Sequence, residues 1–356
     1  MARRVRTPGW SRSFQRTFSA LTRSAVRAGT RAVLKASAKT VRRATKATVA
    51  RRTPPAGPGT WRTGVALGAS GARRYRLYLP PASPRATTPA STLAATPRPA
   101  AGAPLLVMLH GCGQDAMAFA RSTRMHRIAA REGFLVLYPE QERVANAQGC
   151  WSWYDTRSGR AQSEAASIIA AIDQVVARDG ADASQVAVAG LSAGASLAAL
   201  LGTRYPARFI AVAMHSGVAP GTANSSAGAL GAMQGRRHAA AFDGADGAAL
   251  PPLLVIHGSA DGVVAPSNGR AAALWWAAAM GAHAGPQRAV QRGQRRPATL
   301  SEFKRGARTV VSLVEVEGLG HAWSGGAASQ PFSDASGPDA ARMVWAFVAR
   351  QLREGR

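Results

Sequence analysis

Six short apolar runs constrain the fold of this 356-residue chain more than any other feature. Most of the runs are continuous, and all end in glycine or a polar residue, as strands do when a sheet buries both of their faces. The stretches between them space their apolar residues as helices do. The runs are PLLVMLHG from residue 104, GFLVLYPE from 133, QVAVAG from 185, FIAVAMHSG from 209, PLLVIHG from 252 and TVVSLVEVEG from 309.

Strands that alternate with helices predict an α/β fold, with a mostly parallel central sheet and helices on both faces. The helical stretches are 115–131, 164–178, 193–204, 271–280 and 338–352. RRYRLYLP (73–80) predicts an earlier strand, the Pro/Ala/Thr-rich residues 81–103 a loop, and the Gly/Ala-rich residues 219–250 an insertion. In open sheets of this kind the functional residues collect at the carboxyl ends of the strands.

Ser192 follows the run QVAVAG and lies at the centre of the pattern G-x-S-x-G, in GLSAG (190–194). Between a strand and a helix, this pattern is typical of a sharp turn that exposes a nucleophilic serine and leaves the next N–H, that of Ala193, beside it. Glycine is abundant in the chain, with 37 residues, so the pattern also fits an ordinary small-residue turn. The position after an apolar run favours the nucleophile.

A serine nucleophile needs a histidine base, and the base needs an acid that orients it. His321 follows the last apolar run in the glycine-rich loop GLGHAWSGG, and Asp261 follows PLLVIHG in a glycine-flanked loop. The order Ser, Asp, His is that of the α/β-hydrolases. His215 and His257 also end apolar runs, but each precedes the acid, so we expect them to be packed and hydrogen-bonded.

An oxyanion hole needs a second backbone donor, which in this arrangement comes from the loop after an earlier strand. PLLVMLHGCGQDA supplies such a loop, and by position the N–H of Cys112 joins that of Ala193. Four functional pieces then follow four strands in the required order.

The charge is concentrated at one end of the chain. Residues 1–60 contain 15 Lys and Arg and no acidic residue, out of a total of 45 basic and 18 acidic residues. Their sparse apolar residues recur at roughly helical spacing, which predicts a basic, amphipathic or disordered arm and linker ahead of a catalytic domain at 61–356. Such an arm suits a granule surface, an anionic membrane or nucleic acid, or it is simply a solvated leader.

Two cysteines, Cys112 and Cys150, exclude a disulfide-rich scaffold and a cysteine-based zinc site, and no metal or cofactor is expected. No run approaches the roughly 18 apolar residues of a membrane span. The N-terminus lacks the apolar core of a signal peptide, which favours a cytoplasmic or granule-associated protein. Its composition also resembles that of an organelle transit peptide.

The ordered set HGCGQDA, LYPEQERVANAQGCWSWY, GLSAGAS, HGSADGVVAPSN and GLGHAWSGG resembles the polyhydroxybutyrate-depolymerase-type esterases, α/β-hydrolases that include feruloyl and acetylxylan esterases. The resemblance implies the triad Ser192, Asp261 and His321, with the Cys112 backbone in the oxyanion hole. It further implies a bridge between Cys112 and Cys150, and three tryptophans near the cleft. These are Trp151, Trp153 and Trp323.

The expected function is that of a serine ester hydrolase that cleaves short-chain polyhydroxyalkanoate (PHA) or its oligomers through an acyl-enzyme. A feruloyl or acetylxylan esterase is the alternative within the family, and many family members are extracellular. A granule- or nucleic-acid-binding protein with an inert hydrolase domain is the alternative of another class. Trp275 and Trp276, on a helix, are expected in the core rather than at the cleft.

Overall fold

The computed structural model describes residues 53–82, 102–144, 146–237 and 250–354. The predicted arm up to residue 52, most of the predicted loop 81–103 and residues 238–249 of the predicted insertion lie outside the described residues. No helix in the described ranges is long and apolar enough to cross a bilayer.

Thirteen strands and seven α-helices make up the described part of the chain. The strands are β1 (Thr60–Gly68), β2 (Gly71–Leu79), β3 (Ala103–Leu109), β4 (Leu135–Pro139), β5 (Ala181–Leu191), β6 (Ala211–His215), β7 (Leu253–Gly258), β8 (His283–Ala284), β9 (Arg288–Val290), β10 (Ala298–Arg305), β11 (Arg308–Val316), β12 (Trp323–Ser324) and β13 (Ser333–Asp334). The helices are α1 (Ala116–Thr123), α2 (Met125–Glu132), α3 (Arg160–Asp179), α4 (Ala193–Arg204), α5 (Ser226–Met233), α6 (Ser267–Ala279) and α7 (Ala340–Glu354).

Eleven of these strands form one sheet, in the order β1-β2-β4-β3-β5-β6-β7-β11-β10-β8, with β9 also paired to β10. The six strands from β4 to β11 are parallel, and antiparallel strands extend the sheet at both edges. All six predicted apolar runs are strands of the parallel part. The carboxyl ends of β3, β5, β7 and β11 therefore meet at one edge, where the predicted site residues follow them.

Successive side chains of the parallel strands enter cores on opposite faces of the sheet. In β3, Leu105 and Val107 pack with one core, whereas Leu106 and Met108 pack with the other. Helices α3, α4 and α6 cover the first face, and α1, α2 and α7 cover the second. The predicted sheet with helices on both faces is confirmed.

The predicted helix 115–131 is wrong as a single element, because the chain breaks at Arg124 into α1 and α2. Arg124 adopts a left-handed conformation, with φ 55°, and its N–H still donates to the carbonyl of Ala120. Its guanidinium donates to the carbonyl oxygens of Gly325 and Gly326, so the break ties this helix pair to the loop that follows β12.

Strands β1 and β10 are additions to the sequence-based prediction. β1 is largely exposed and pairs with β2 through a two-residue turn, with Gly68 opposite Gly71. β10 lies in the arginine-rich stretch, where charged residues obscure the alternation of buried and exposed side chains. An exposed edge strand such as β1 and a strand rich in charged residues such as β10 both carry a weak apolar pattern, and for that reason the sequence does not reveal them.

Candidate active site

Ser192 occupies the sharp turn between β5 and α4. Its backbone has φ 57° and ψ −121°, a conformation that L-residues rarely adopt outside functional turns. Its N–H donates to the carbonyl of His215 at the end of β6, 2.9 Å away. The turn is therefore fixed to the neighbouring strand, and the side chain of Ser192 stands at the carboxyl edge of the sheet.

The two glycines of the pattern allow this turn to close. A Cβ at Gly190 would overlap the backbone of Gly194, and a Cβ at Gly194 would overlap the carbonyl oxygen of Leu109 in β3. No side chain relieves such contacts, because every atom involved belongs to the backbone. The helix α4 can begin directly behind the serine only with glycine at both positions.

His321 lies between Ser192 and Asp261. Its Nε2 is 2.9 Å from the Ser192 Oγ, and its Nδ1 is 2.8 Å from the Asp261 Oδ2. A carboxylate accepts but cannot donate, so Nδ1 carries the proton and Nε2 is left to accept from the serine hydroxyl. The structure thus brings the three predicted residues, each from a different strand end, into one hydrogen-bonded chain.

Asp261 is 4% exposed and fully used as an acceptor. Its Oδ1 accepts the N–H groups of Val263 and Val264, each at 2.9 Å. Burial raises the pKa of Asp261, but the hydrogen bonds from His257, His321 and the Val264 N–H outweigh burial and hold the pKa well below its usual range. A carboxylate that stays ionised holds the imidazole in one tautomer and stabilises it when it becomes charged.

His215 and His257 are buried, as predicted, and hydrogen-bonded. Nε2 of His215 accepts the Ser324 N–H at 3.1 Å, and burial lowers the pKa of His215 to about 3, so the ring is neutral. Nε2 of His257 lies 3.0 Å from the carbonyl oxygen of Val264 and 3.5 Å from the Asp261 Oδ2. His257 therefore supports the acid from behind, a contact that its place in the sequence does not reveal.

The loop after β3, residues 110–114, passes directly beside Ser192. A Cβ at Gly111 would lie 3.5 Å from the Cβ of Ser192. Gly111 N–H donates to the Gln114 Oε1 and Gly113 N–H to the carbonyl of Gln148. The Cys112 N–H between them has no acceptor among the described residues, and the Ala193 N–H is the first of α4, where helices leave N–H groups unpaired.

A disulfide joins Cys112 to Cys150, with 4.3 Å between their Cα atoms. The bridge that the resemblance implies is thus present in the structure. It connects the loop 110–114 to the segment between β4 and α3.

A buried polar network holds this same segment. The Gln141 N–H donates to Nε2 of His110, while the Gln141 amide donates to the Glu164 Oε1 at 2.6 Å. Glu164 also accepts the Ser152 N–H through Oε2, at 2.7 Å. Arg73, from β2, donates to the Gln141 Oε1 at 2.7 Å. Sequence reasoning missed these residues, because they are far apart in the chain and form no local pattern.

The three predicted cleft tryptophans are 0%, 9% and 1% exposed at Trp151, Trp153 and Trp323. Trp151 donates its Nε1–H to the carbonyl of His110, and Trp323 stacks on His215. Contact of these side chains with a substrate stays a prediction; in this structure two of them pack against residues next to the site. Trp276 is fully buried and Trp275 packs against the core, as expected.

Comparisons with known proteins find esterases and a depolymerase that are similar to this chain. The family model described as Esterase PHB depolymerase matches residues 75–283, more than half of the chain. That range includes Ser192 and Asp261, and His321 lies beyond it. Poly(3-hydroxyalkanoate) depolymerase C of Paucimonas lemoignei is 34% identical over 179 residues, which are 47% of this chain and 43% of that protein.

Feruloyl esterase B of Neurospora crassa is 29% identical over 194 residues, 50% of this chain and 65% of that protein. The chain thus spans between two fifths and two thirds of the length of these curated relatives. A solved acetyl xylan esterase from Aspergillus awamori aligns with a TM-score of 0.55 at 19% identity, over 74% of this chain and 94% of that one. This likeness shows an α/β-hydrolase fold, and with the family match it confirms the resemblance: the chain belongs to the Esterase PHB depolymerase family.

Proposed function

We propose that the protein is a serine ester hydrolase that acts through an acyl-enzyme. The observation that carries the proposal is the unbroken hydrogen-bonded chain from Asp261 through His321 to the Oγ of Ser192. Closeness in the sequence does not explain these hydrogen bonds, because His321 lies 60 positions from Asp261 and 129 positions from Ser192.

In the proposed reaction, His321 takes the proton of the Ser192 hydroxyl as its Oγ attacks the ester carbonyl carbon. The tetrahedral oxyanion is held by the N–H groups of Cys112 and Ala193. The C–O bond then breaks, and the proton passes from His321 to the departing alcohol. A water molecule activated by His321 releases the acid and restores the serine.

Replacement of the nucleophile tests this proposal. Ser192→Ala removes the attacking oxygen and leaves its neighbours unchanged, so we expect kcat for a p-nitrophenyl ester to fall by at least about 10⁴-fold. The unfolding midpoint of the variant should match that of the wild type, since a hydroxyl is the only group lost. Retained hydrolysis in a folded Ser192→Ala protein would show that another group is the nucleophile.

For the substrate, we propose short-chain PHA or its oligomers. The family match and the similarity to a poly(3-hydroxyalkanoate) depolymerase support this class. The similarity to a feruloyl esterase supports the alternative of a carbohydrate esterase. Incubation with amorphous polyhydroxybutyrate granules, with 3-hydroxybutyrate oligomers, and with feruloylated and acetylated xylan separates the two. Release of ferulate or acetate without 3-hydroxybutyrate would exclude our choice.

We further propose that the basic arm associates with an anionic surface, either a PHA granule or a membrane. Its support is the charge of residues 1–52, which contain 15 basic residues and no acidic one. A chain that begins at Thr53 keeps every described residue and loses this charge. We expect the full chain, and not the shortened one, to sediment with granules or anionic vesicles in low salt. Binding to duplex DNA alone would assign the arm to nucleic acid instead.

A further inference from the structure

We infer that Phe332 binds the aliphatic part of the ester substrate. The inference rests on the proposed hydrolase function and assigns a substrate-contacting residue that the sequence motifs do not include. Three observations carry it: the place of Phe332 between two functional loops, its backbone conformation and its exposure.

Phe332 lies between the loop of the predicted oxyanion donor and the loop of the predicted base. A Cβ at Gly113, the residue after Cys112, would lie 3.6 Å from the Phe332 ring. On the other side, the Phe332 carbonyl accepts the N–H of Trp323, two residues after His321, at 2.8 Å. The Phe332 ring thus lies beside the loop that carries the proposed oxyanion donor.

The backbone of Phe332 has φ 55°, in the left-handed region. A bulky residue without a polar group is a rare occupant of this region, which glycine enters without strain. The conformation is held on its C-terminal side, because the next residue, Ser333, pairs with Trp323 in the small sheet of β12 and β13. Residues held in such conformations concentrate at ligand-binding positions.

Phe332 is also 43% exposed. Val263, two residues after Asp261, is 48% exposed at the same edge of the sheet. Exposed apolar groups next to a nucleophile offer a surface that an aliphatic chain covers on binding, with release of water from both partners. Folding alone does not favour the exposure of Phe332, whereas an apolar substrate gives a reason for it.

A purely structural role makes a different prediction. If Phe332 only braces Gly113, its loss displaces the oxyanion loop and slows hydrolysis of every ester equally. If it binds an aliphatic chain, its loss affects long esters and spares short ones. The dependence of kcat/KM on chain length therefore separates the two roles.

The experiment compares Phe332→Ala, Phe332→Leu and the wild type in the full chain. One substrate series lengthens the acid, from p-nitrophenyl acetate through butanoate to hexanoate; the other lengthens the alcohol, from ethyl to hexyl acetate. For Phe332→Ala we expect kcat/KM to fall about 10-fold for the longest ester of the series that Phe332 contacts. For the shortest ester of that series, the fall should be less than about 2-fold. Phe332→Leu, which restores an apolar side chain, should recover most of the loss.

Leu67→Ala is the matched control, because Leu67 is 78% exposed on the edge strand β1. We expect it to leave both series unchanged. The series that responds tells whether the acid or the alcohol side of the ester meets Phe332. An equal loss across all chain lengths, or no loss in either series, would overturn the assignment while the hydrolase function stands. If the wild type cleaves no ester at all, both the function and this assignment fail.

Discussion

The turn of the proposed nucleophile (residues 190–194, the nucleophile turn) and the loop of the proposed oxyanion donor (residues 110–114, the oxyanion loop) lie side by side, yet different forces position them. The turn is shaped by its own backbone, since Gly190 and Gly194 allow β3, β5 and α4 to approach without side chains between them. The loop is held by other parts of the chain, through Trp151, Gln141 and the disulfide to Cys150. One half of the site is thus encoded locally and the other depends on distant partners.

The largest effect is expected when one methyl group is added to the nucleophile turn. In Gly194→Ala the new Cβ overlaps the Leu109 carbonyl of a central strand, and no side chain can rotate away. Because interiors are close-packed, we expect destabilisation of more than about 3 kcal/mol and little folded protein on expression. Urea unfolding monitored by tryptophan fluorescence checks this result.

Gly262→Ala is the control for that experiment. A Cβ at Gly262 would meet no atom within 4 Å, and its φ lies outside the left-handed region. We expect its free energy of unfolding to stay within about 0.5 kcal/mol of the wild type. Equal stability of the two alanine variants would show that the turn tolerates side chains and that its glycines are dispensable.

This difference explains how much of the site could be predicted from the sequence. The turn is recognisable in the sequence, because two glycines flank a serine directly after an apolar run. Asp261 and His321 follow strands that are equally recognisable. The parallel sheet was predictable for the same reason, because strands buried on both faces are written as continuous apolar runs.

The other features of the site and fold depend on contacts between residues that are distant in the sequence, and no local pattern predicts them. Arg73, Gln141 and Glu164 are single polar residues on or beside three different elements, and only the folded chain brings them together. Phe332 shows no motif either, since its significance lies in a backbone angle and an exposed ring. The break at Arg124 depends on carbonyl acceptors about 200 residues away.

Removal of the disulfide tests whether distant partners hold the oxyanion loop in place. In the double variant Cys112→Ser, Cys150→Ser, we expect the free energy of unfolding to fall by about 3–4 kcal/mol, because the unfolded chain is no longer cross-linked over 38 residues. We also expect kcat to fall by about 10-fold with little change in KM, since a displaced oxyanion donor acts on the transition state.

The reductant-treated wild type is the companion measurement. It should approach the double variant in both stability and kcat, and the double variant should not respond to reductant. A double variant with the wild-type kcat would show that the hydrogen bonds of Gln141 and Trp151 hold the loop without the bridge.

A smaller effect is expected from Glu164→Gln, which changes the network beneath the loop. Glu164 accepts from both the Gln141 amide and the Ser152 N–H, and glutamine replaces one acceptor with a donor. A buried donor that faces another donor costs about 1–3 kcal/mol. We expect that loss of stability and a drop in kcat of a few fold, with KM unchanged.

Glu132→Gln, at the exposed end of α2, carries the same chemical change without buried partners. Its stability and kcat should match those of the wild type. If Glu164→Gln behaves in the same way, the network is not needed to position the oxyanion loop.

The last prediction concerns the pH dependence of stability, because the nucleophile turn and the oxyanion loop each contact a buried neutral histidine. Burial lowers the pKa of His110, in the oxyanion loop, to about 4 and that of His215, which accepts the Ser192 N–H through its carbonyl, to about 3. His126, packed against Trp61 and Tyr78, is lowered in the same way to about 4. In the unfolded chain each of the three titrates near 6.5.

Between pH 6.5 and about 4 the unfolded chain therefore binds protons that the folded chain excludes, so stability falls as the pH is lowered. The slope reaches about 1.4 kcal/mol per pH unit for each histidine. Asp261 adds to this loss only at lower pH, where an unfolded carboxyl begins to protonate. His126 is remote from both loops, in its aromatic cluster. His126→Phe should lower the slope by up to about 1.4 kcal/mol per pH unit in urea unfolding at pH 7, 6 and 5. His283→Phe, at an exposed histidine, is the matched control and should keep the wild-type slope. Equal slopes of unfolding free energy against pH for His126→Phe and the wild type would show that His126 is protonated in the folded protein.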